Sequence, residues 1–389
     1  MLLLIVGLIL FIGLVVVHEY GHFIMARRNG VEIEEFGIGF PPRIWKKRIH
    51  SPKGDYNFTI NLLPLGGFVK MKGETDGDTE PGTFGAASTW AKSKIMVAGV
   101  VMNLITAFLL LMLLALIGIP KLVDNQFTVA SDTKVVRNEI IIGFVEKNSP
   151  ASKAGLDQGD HLVSIGQEGK EQKLASSKDL PDFTRKNAGQ KVSLTYTRDG
   201  SVQRGTTTIR STAEVEASQK TDNPKGYLGV GPTDFTIQRS TWSAPIVAAG
   251  LIKQFTVLTF QGLGKAVAGL GKAIAGLVTG NSPARQQGQK QASEQVSGPV
   301  GIFVILKDGS TLGFQFVLLI IAIISLTLAI MNILPIPALD GGRLWLTLLT
   351  RGIGRPISRE KEELINASGF IFLLLLIVLI TIVDIKRFF

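Results

Sequence analysis

The chain has 389 residues, of which 46% are hydrophobic and 19% are charged, and its formal net charge at pH 7 is +10. It is too apolar for an ordinary soluble protein and too charged to lie wholly in lipid, so we expect a bilayer-embedded core and a water-exposed part. The absence of cysteine excludes disulfide frameworks, thiolate metal sites and cysteine nucleophiles. The basic residues cluster beside apolar segments, which favours contact with a bilayer and argues against a nucleic-acid partner.

The first element is a predicted transmembrane helix at residues 1–26, an apolar segment long enough to cross a bilayer core of about 30 Å. No basic stretch precedes its apolar run and no small-residue cleavage site follows it, so we do not interpret it as a signal peptide. Its second half carries the run His18-Glu19-Tyr20-Gly21-His22.

This His-Glu-x-x-His pattern predicts a metal site. Residues four apart lie on the same face of a helix, so His18 and His22 can bind one ion, and Glu19 beside them can act as a general base. The alternative is a pair of histidines that hydrogen-bond to neighbouring helices. We favour the metal site because ionisable side chains within a membrane segment are costly and usually functional.

Residues 27–92 are predicted to form a membrane-associated β region on the cytoplasmic side. Apolar and polar residues alternate within 31–40 and 56–71, as is typical of strands, and Gly37 and Gly39 indicate sharp bends. A plain cytoplasmic loop is the alternative interpretation.

A second transmembrane helix is predicted at 93–119, and an α/β domain follows at 127–212. The Asp199-Gly200 pair between two alternating segments predicts a hairpin. The run SPASKAGLDQGDHLVSIG at 149–166 resembles a PDZ domain, a fold that binds extended peptides by adding a strand beside an exposed sheet edge. The alternative is another small β-rich domain.

Residues 213–311 are predicted to be an extracytoplasmic linker that contains one amphipathic helix at 244–280. Apolar residues recur there at steps of three and four, so we expect this helix to lie on the outer membrane surface or to pack on the membrane helices. The polar residues 281–295 are predicted to be a mobile loop.

The third transmembrane segment, at 312–342, contains a predicted break, since Pro335 and Pro337 interrupt the helix. Broken helices at membrane depth are tolerated where they line a protein or water-filled cavity. A catalytic zinc site usually has three protein ligands, and Asp340 within this break is the third ligand that we predict. The alternatives are that Asp340 only caps the following helix, or that Asp384 is the ligand.

A cytoplasmic loop at 343–366 and a fourth transmembrane helix at 367–386 follow. Basic residues are concentrated in this loop and in 27–92, which assigns both to the cytoplasm. The prediction is a polytopic α-helical membrane protein with about four transmembrane helices, a membrane-associated β-hairpin region and an inserted α/β PDZ domain. Both termini and the PDZ domain are then extracytoplasmic, and the metal site lies toward the cytoplasmic side.

These motifs together resemble the site-2 protease family of intramembrane zinc metalloproteases, in particular the bacterial branch typified by the regulator of sigma-E protease. The resemblance covers nearly the whole chain. Its specific part is the His-Glu-x-x-His pattern followed by NILPIPALDGGR at 332–343, in this order and in separate membrane segments. Shorter matches are FGIGFPP (36–42), PLGGFVKM (64–71), KSKIMVAGVVMN (92–103) and SGPVGI (297–302).

The resemblance implies a zinc-dependent intramembrane endopeptidase with one Zn²⁺ per chain. Its ligands would be His18, His22 and Asp340, and Glu19 would be the general base and acid. The implied substrate-binding residues are Asn332, Gly37, Gly39, Pro335 and Pro337. In the family the asparagine is thought to hold the substrate or the oxyanion, and the glycine loop would present a strand edge to an unwound helix.

The resemblance also implies the substrates and the place of action. The substrates would be single-span membrane proteins, such as anti-sigma factors or signal-peptide remnants, which a site-1 protease could cut first. The PDZ domain would act as a size filter, and the protein would reside in a bacterial inner membrane.

Two departures from the family pattern and three other functions stay open. One PDZ domain is predicted here where the best-known member has two, and the usual Ala-Gly-Pro reads Ala98-Gly99-Val100. The other functions are a non-catalytic scaffold that binds peptides through the PDZ domain, a metal or proton transporter, and a zinc protease that faces water and is anchored by the first helix. An intact Glu19 disfavours the scaffold, and the few polar residues in the second and fourth membrane segments disfavour the transporter.

Overall fold

The computed structural model describes residues 1–75, 77–198, 200–219, 221, 223–353 and 357–388. The helices, in chain order, are α1 (Leu2–Arg28), α2 (Thr89–Ile117), α3 (Pro150–Lys153), α4 (Asp179–Lys186), α5 (Thr212–Ser218), α6 (Ala244–Val278), α7 (Ser282–Ser293), α8 (Pro299–Thr311), α9 (Phe314–Ile333), α10 (Asp340–Gly352) and α11 (Arg359–Phe388). The strands are β1 (Ile33–Ile49), β2 (Tyr56–Met71), β3 (Ile119–Pro120), β4 (Lys134–Val145), β5 (His161–Gln167), β6 (Lys170–Lys173), β7 (Lys191–Arg198), β8 (Ser201–Thr208) and β9 (Val230–Arg239).

Five of the described helices are long and apolar enough to cross a membrane, by length and composition alone: α1, α2, α6, α9 and α11. The sequence predicts four, and the additional candidate is α6. Its mean hydropathy is 1.4, against 2.7 to 2.8 for the other four. The helix therefore matches the predicted amphipathic segment to within two residues and is clearly less apolar than the other candidates.

Two units make up the chain, Met1–Leu114 with Ala244–Phe389 and Ala115–Ser243. In the first unit, apolar side chains of α1, α8 and α9 pack together around Leu4, Leu306 and Val317. A second cluster, which includes Phe23 and Ile95, joins α1 and α2 to the β region. Burial of this apolar surface stabilises the helices against one another.

The β region between α1 and α2 is a sheet built from β1 and β2, so the alternative of a plain loop is wrong. Its register is irregular, and the first part of β1 has partners on both sides: Gly37 lies opposite both Phe68 and Thr59. The second part of β1 and the facing part of β2 carry exposed apolar side chains, which are Phe40, Ile44, Trp45, Ile60, Leu62 and Leu63.

The predicted break follows α9, which ends at Ile333, and α10 begins at Asp340. Between them the chain turns sharply and Ala338 has a φ of 72°. A Cβ at Gly341 would lie 2.2 Å from the Leu334 carbonyl oxygen, and one at Gly342 would lie 2.1 Å from that of Ile336. Both positions therefore require glycine, because α10 packs directly on the backbone of the break.

The predicted loop at 281–295 is wrong, because most of it forms α7. The Asn281 side chain accepts a hydrogen bond from the Ala284 backbone and caps this helix. Helices α6 and α7 pack closely, since a Cβ at Gly269 would lie 2.7 Å from the Ala292 nitrogen. The glycines of α6, which lower its helix propensity, permit this contact. The predicted linker at 213–311 thus contains most of α5, strand β9, and helices α6, α7 and α8.

The second unit is an α/β domain with a seven-stranded sheet in the order β3-β9-β4-β5-β7-β8, in which β6 also pairs with β5. Its core includes Ile142, Leu156, Ile165 and Leu194, all at most 1% exposed. Strands β7 and β8 form the predicted hairpin, although Asp199 in its turn lies outside the described residues.

This domain extends beyond the predicted limits of 127–212. Strand β9 pairs with β4 along its length, from Val135 opposite Gln238 to Val145 opposite Val230. The loop after β3 is tied to the segment after β9 by Asp132, whose carboxylate accepts hydrogen bonds from Thr241 and Ser243. The sheet is therefore completed by residues that are distant in sequence.

Candidate metal centre

Helix α1 places the two predicted imidazoles together, as their four-residue spacing indicates. His18 and His22 are 7% and 6% exposed, and their Nε2 atoms lie 3.2 Å apart. Buried polar groups need partners, and in this apolar helix the imidazoles find theirs on other elements.

Asp340 joins the two histidines. Its Oδ2 lies 3.0 Å from His18 Nε2 and 3.1 Å from His22 Nε2. It is the first residue of α10, but the helix is preceded by Leu339 and no side chain caps it. The alternative that Asp340 serves as a helix cap is therefore wrong.

Asp384, the competing acid, occupies a different place. Its Oδ2 accepts hydrogen bonds from the backbone N–H groups of Gly298 and Gly301, at 2.9 and 2.8 Å. These are the free amides at the start of α8, and a buried carboxylate there satisfies them. Asp384 thus holds α8 against α11, and the SGPVGI motif marks this contact.

Helix α2 lines the metal centre from the other side. The Ile95 carbonyl accepts a hydrogen bond from His22 Nδ1 at 2.8 Å. The Asn103 side chain is buried, and its Nδ2 lies 3.3 Å from His18 Nδ1. Gly99 lies between these two residues, where a Cβ would come within 2.4 Å of His22 Nε2.

Glu19, between the two histidines in sequence, faces the β region. Its Oε2 accepts a hydrogen bond from the Val69 backbone at 3.1 Å. The glycine pair in PLGGFVKM permits this approach: a Cβ at Gly67 would lie 3.6 Å from the Glu19 side chain and 3.0 Å from the Gly37 carbonyl oxygen. Strand β2 therefore fixes the position of the carboxylate.

The five predicted substrate-binding residues have different surroundings. Asn332 lies half-buried in the last turn of α9, and its side chain makes no hydrogen bond within the described ranges. Pro335 and Pro337 are both exposed in the break, and Pro337 also lies beside α11, where a Cβ at Gly369 would lie 2.4 Å from the Pro337 Cβ. Gly37 and Gly39 are both buried in β1.

Gly37 does not offer a free strand edge, since it is paired on both sides. The predicted edge at this glycine is therefore wrong. The Gly67–Met71 part of β2 pairs with β1 on one side, and the Val69 N–H points away from β1 toward Glu19. The edge nearest Glu19 is this segment, and a sequence pattern could not show which segment is outermost.

Three further residues of the site, Ile95, Gly99 and Asn103, received no role from the sequence. Ile95 acts through its backbone, which no residue pattern reveals. The four-residue spacing of the three residues on α2 was a signal, because it places them on one helix face.

The side chains present fit a zinc ion. Two imidazole nitrogens and one carboxylate oxygen form a common donor set of catalytic zinc sites, with a fourth position left open. Three ligands at about 2.1 Å from a tetrahedral ion lie roughly 3.4 Å from one another, close to the 3.0, 3.1 and 3.2 Å found here. His22 Nδ1, on the far side of its ring, is already bonded to a carbonyl, as is usual for a metal-binding histidine.

Comparison with known proteins gives a family and several relatives. The model of Peptidase family M50 matches residues 6–376. A protein of Clostridium perfringens described as a candidate zinc metalloprotease is 30% identical, with 98% of this chain and 98% of the relative covered. The regulator of sigma-W protease RasP of Bacillus subtilis is 27% identical, with 98% of each chain covered. Among solved structures, the PDZ domain of an SdrC-like protein from Listeria monocytogenes is 19% identical, with 25% of this chain and 92% of that chain covered and a TM-score of 0.20.

Proposed function

The chain belongs to peptidase family M50 and is a site-2-type zinc metalloprotease of a membrane, and on this premise we propose that it hydrolyses peptide bonds within the membrane segments of single-span proteins. The observation that supports this most directly is the convergence of His18, His22 and Asp340 between apolar helices. A buried donor set of this kind in a membrane segment serves a function that outweighs its cost.

His18, His22 and Asp340 would hold one Zn²⁺. When bound, zinc lowers the pKa of water to about 7 and polarises a peptide carbonyl. The histidines contribute neutral imidazole nitrogens, and Asp340 contributes the negative charge that offsets part of the ion's charge.

Glu19 is the proposed general base and acid. Its carboxylate takes a proton from the attacking water and later delivers it to the leaving amine. The hydrogen bond from Val69 keeps one carboxylate oxygen in place, so the other oxygen is available for proton transfer.

The Gly67–Met71 part of β2 is the proposed binding edge for an unwound substrate. A helical peptide bond is shielded by its own hydrogen bonds, and pairing with a strand edge replaces them. The edge next to Glu19 would bring the bound backbone to the metal centre. The half-buried Asn332 amide, which has no partner within the described ranges, is the proposed donor to the substrate carbonyl.

Water would reach the site through a cavity beside the break. This cavity, of about 1040 Å³, is lined by Ala338 and Arg343, on either side of Asp340, and by polar residues of the loop after β2 such as Glu74 and Asp78. Its charged lining suits water, and hydrolysis within a bilayer needs such a route.

We place four helices across the membrane: α1, α2, α9 and α11. Leu110 near the end of α2 packs with Leu4 of α1 and Val317 of α9, so these three parts lie at one end of the bundle. Leu306 of α8 joins the same cluster, and Asp384 near the end of α11 binds the start of α8. If α6 crossed the membrane once, α8 would lie at the opposite end of the helix bundle. We therefore propose that α6 and α7 form a helical hairpin on one side of the membrane.

With both basic loops in the cytoplasm, both termini and the inserted domain are extracytoplasmic in a bacterial inner membrane. The exposed apolar residues at the far end of the β1–β2 sheet are proposed to dip into the bilayer. The inserted domain, as a PDZ-like module, would admit only substrates already trimmed outside, for instance by a site-1 protease. Anti-sigma factors and signal-peptide remnants are the proposed substrates. The Bacillus subtilis relative is named a regulator of sigma-W protease, which is consistent with a role in sigma-factor regulation.

The test compares wild type with Glu19→Gln in liposomes that contain a model single-span peptide. Loss of the base should lower cleavage by about 10²- to 10⁴-fold, while the zinc content per chain stays unchanged because Glu19 is not a ligand. Chelation of zinc should abolish wild-type cleavage. Glu168→Gln, an exposed change in the inserted domain, is the matched control. Equal cleavage by wild type and Glu19→Gln would favour the scaffold or transporter.

A further inference from the structure

Helix α2 carries three residues on one stripe that all face the metal centre: Ile95, Gly99 and Asn103, each four residues from the next. The Ile95 carbonyl is bonded to His22 Nδ1. At Gly99 the missing side chain leaves room for both imidazoles, since a Cβ would lie 2.5 Å from His18 Cε1. Asn103 has its amide beside His18 Nδ1. The stripe therefore contacts the far side of each imidazole, although α2 supplies no metal ligand.

The protonation of Nδ1, the ring nitrogen that faces away from the metal, decides whether Nε2 of each imidazole can bind a metal. A histidine that binds through Nε2 carries its proton on Nδ1, and the group that accepts this proton fixes the tautomer and the ring orientation. His22 has such an acceptor in the Ile95 carbonyl. For His18 the neighbouring group is the Asn103 amide, so the same task falls to its oxygen.

The Asn103 oxygen is available for this task. Oδ1 is buried and makes no hydrogen bond to any other described residue. The oxygen and the NH₂ of an amide have nearly the same size, so the group can turn within its space. This rotation of the Asn103 amide breaks no hydrogen bond of Oδ1. It replaces the contact between Asn103 Nδ2 and His18 Nδ1 with a hydrogen bond from His18 Nδ1–H to Asn103 Oδ1.

The backbone around Asn103 is held in place independently of the amide. The Ser325 hydroxyl of α9 donates a hydrogen bond to the Asn103 carbonyl at 2.8 Å. Both residues are fully buried. This contact fixes the turn of α2 that carries Asn103, so the amide has a defined distance to His18.

We propose that Asn103 is a positioning residue of the metal centre, whose Oδ1 accepts the Nδ1 proton of His18 and thereby keeps Nε2 unprotonated for zinc. The inference rests on the proposed function, because it requires His18 to be a ligand. Helix α2 then sets the tautomer of both histidines, through the Ile95 backbone for one and the Asn103 side chain for the other.

The experiment measures the zinc affinity of the purified full chain in detergent by competition with a chromophoric chelator. Asn103→Leu has a similar size but no acceptor, and it should lower the affinity by about 10- to 100-fold. Asn103→Asp keeps an acceptor oxygen at the same position and should bind zinc about as well as wild type. The control is Thr106→Val, since the Thr106 hydroxyl bonds only to Met102 of its own helix among the described residues.

A role in packing alone predicts the reverse order, with Asn103→Leu tolerated and the buried charge of Asn103→Asp harmful. Wild-type affinity in Asn103→Leu would therefore overturn the proposal. If Asn103→Leu fails to fold, Asn103→Ala compared with Asn103→Asp decides in the same way. Failure of the proposed function gives a different result from failure of this inference. In that case the wild-type protein would bind no zinc, or His18→Ala would bind zinc with wild-type affinity.

Discussion

Glycine at position 99 allows the imidazoles of His18 and His22, the proposed zinc ligands, to lie against α2. The structure leaves no room there for a methyl group, because a Cβ would overlap both rings. The chain has valine at position 100 where the family pattern has proline, and the hydrogen bonds from α2 to the two histidines come from Ile95 and Asn103.

Gly99→Ala should weaken zinc binding. Overpacking of this kind costs about 1–3 kcal/mol, which corresponds to an affinity about 5- to 150-fold lower. Chelator competition on the purified protein measures the change. Gly264→Ala in α6, where no atom lies within 4 Å of the added methyl group, should leave zinc affinity unchanged. Unaltered affinity in Gly99→Ala would mean that α1 and α2 can separate without disturbing the ligands.

Local spacing predicts part of the site and leaves part of it hidden. His18 and His22 are recognisable because one helical turn joins them, and Asp340 because prolines and glycines mark the break around it. The Val69 amide and the Ile95 carbonyl are backbone groups brought in from other elements, and any residue could supply them. The same reason explains the error at Gly37, whose two strand partners depend on the register of β2.

At the scale of elements, the short helix α8 depends on a carboxylate from α11. Its first amides have no partner within the helix, and Asp384 accepts from two of them. The SGPVGI motif thus has a structural explanation: glycine at 298 and 301 lets the carboxylate approach the backbone.

Asp384→Leu should destabilise the protein by about 2 kcal/mol or more, because it leaves buried N–H groups without an acceptor. Thermal unfolding in detergent measures this, and Asp384→Asn, which keeps one accepting oxygen, should lose less. Asp308→Leu changes an exposed aspartate of the same helix α8 and should have little effect. A stable Asp384→Leu protein would show that water replaces the carboxylate.

The inserted domain contains a carboxylate whose protonation is linked to stability. Hydrogen bonds from Ser243 and Thr241 hold the pKa of Asp132 well below its usual range. The charged form is the one that these donors stabilise, so the stabilisation is complete above about pH 4 and is lost as the pH falls toward the folded-state pKa.

Asp132→Asn should therefore reduce the loss of stability of the isolated domain, residues 115–243, between pH 7 and pH 3. The melting temperature at the two pH values measures this dependence for wild type and variant. A variant whose melting temperature falls as steeply as that of wild type would assign the acid sensitivity to other groups.

At the scale of the whole molecule, the sequence predicts helices well and long-range pairing poorly. The four predicted apolar segments overlap α1, α2, α9 and α11, since length and hydropathy are local properties, although α11 begins at Arg359, before the predicted start at 367. Strand β9 was assigned to a linker because its partner β4 lies about a hundred residues away, and the glycine-rich α6 looked weak as a helix without its partner α7.

All three proposed ligands belong to one of the two units, so the metal centre should survive removal of the other. A chain in which a short flexible linker replaces residues 118–243 is expected to retain about one zinc per chain, because His18, His22 and Asp340 are untouched. It should also cleave substrates with large outer domains that wild type rejects. Zinc loss in this variant would contradict the independence of the centre, and unchanged selectivity would contradict the gating role.

The proposed ligands His18 and His22 of α1 lie 322 and 318 positions before Asp340, the first residue of α10. During synthesis on the ribosome, the first helix with both histidines enters the membrane long before Asp340 is translated. A nascent chain would therefore carry the proposed base and two proposed ligands without the third. The order of the two motifs along the chain would then delay assembly of the proposed site until almost the whole chain has been translated.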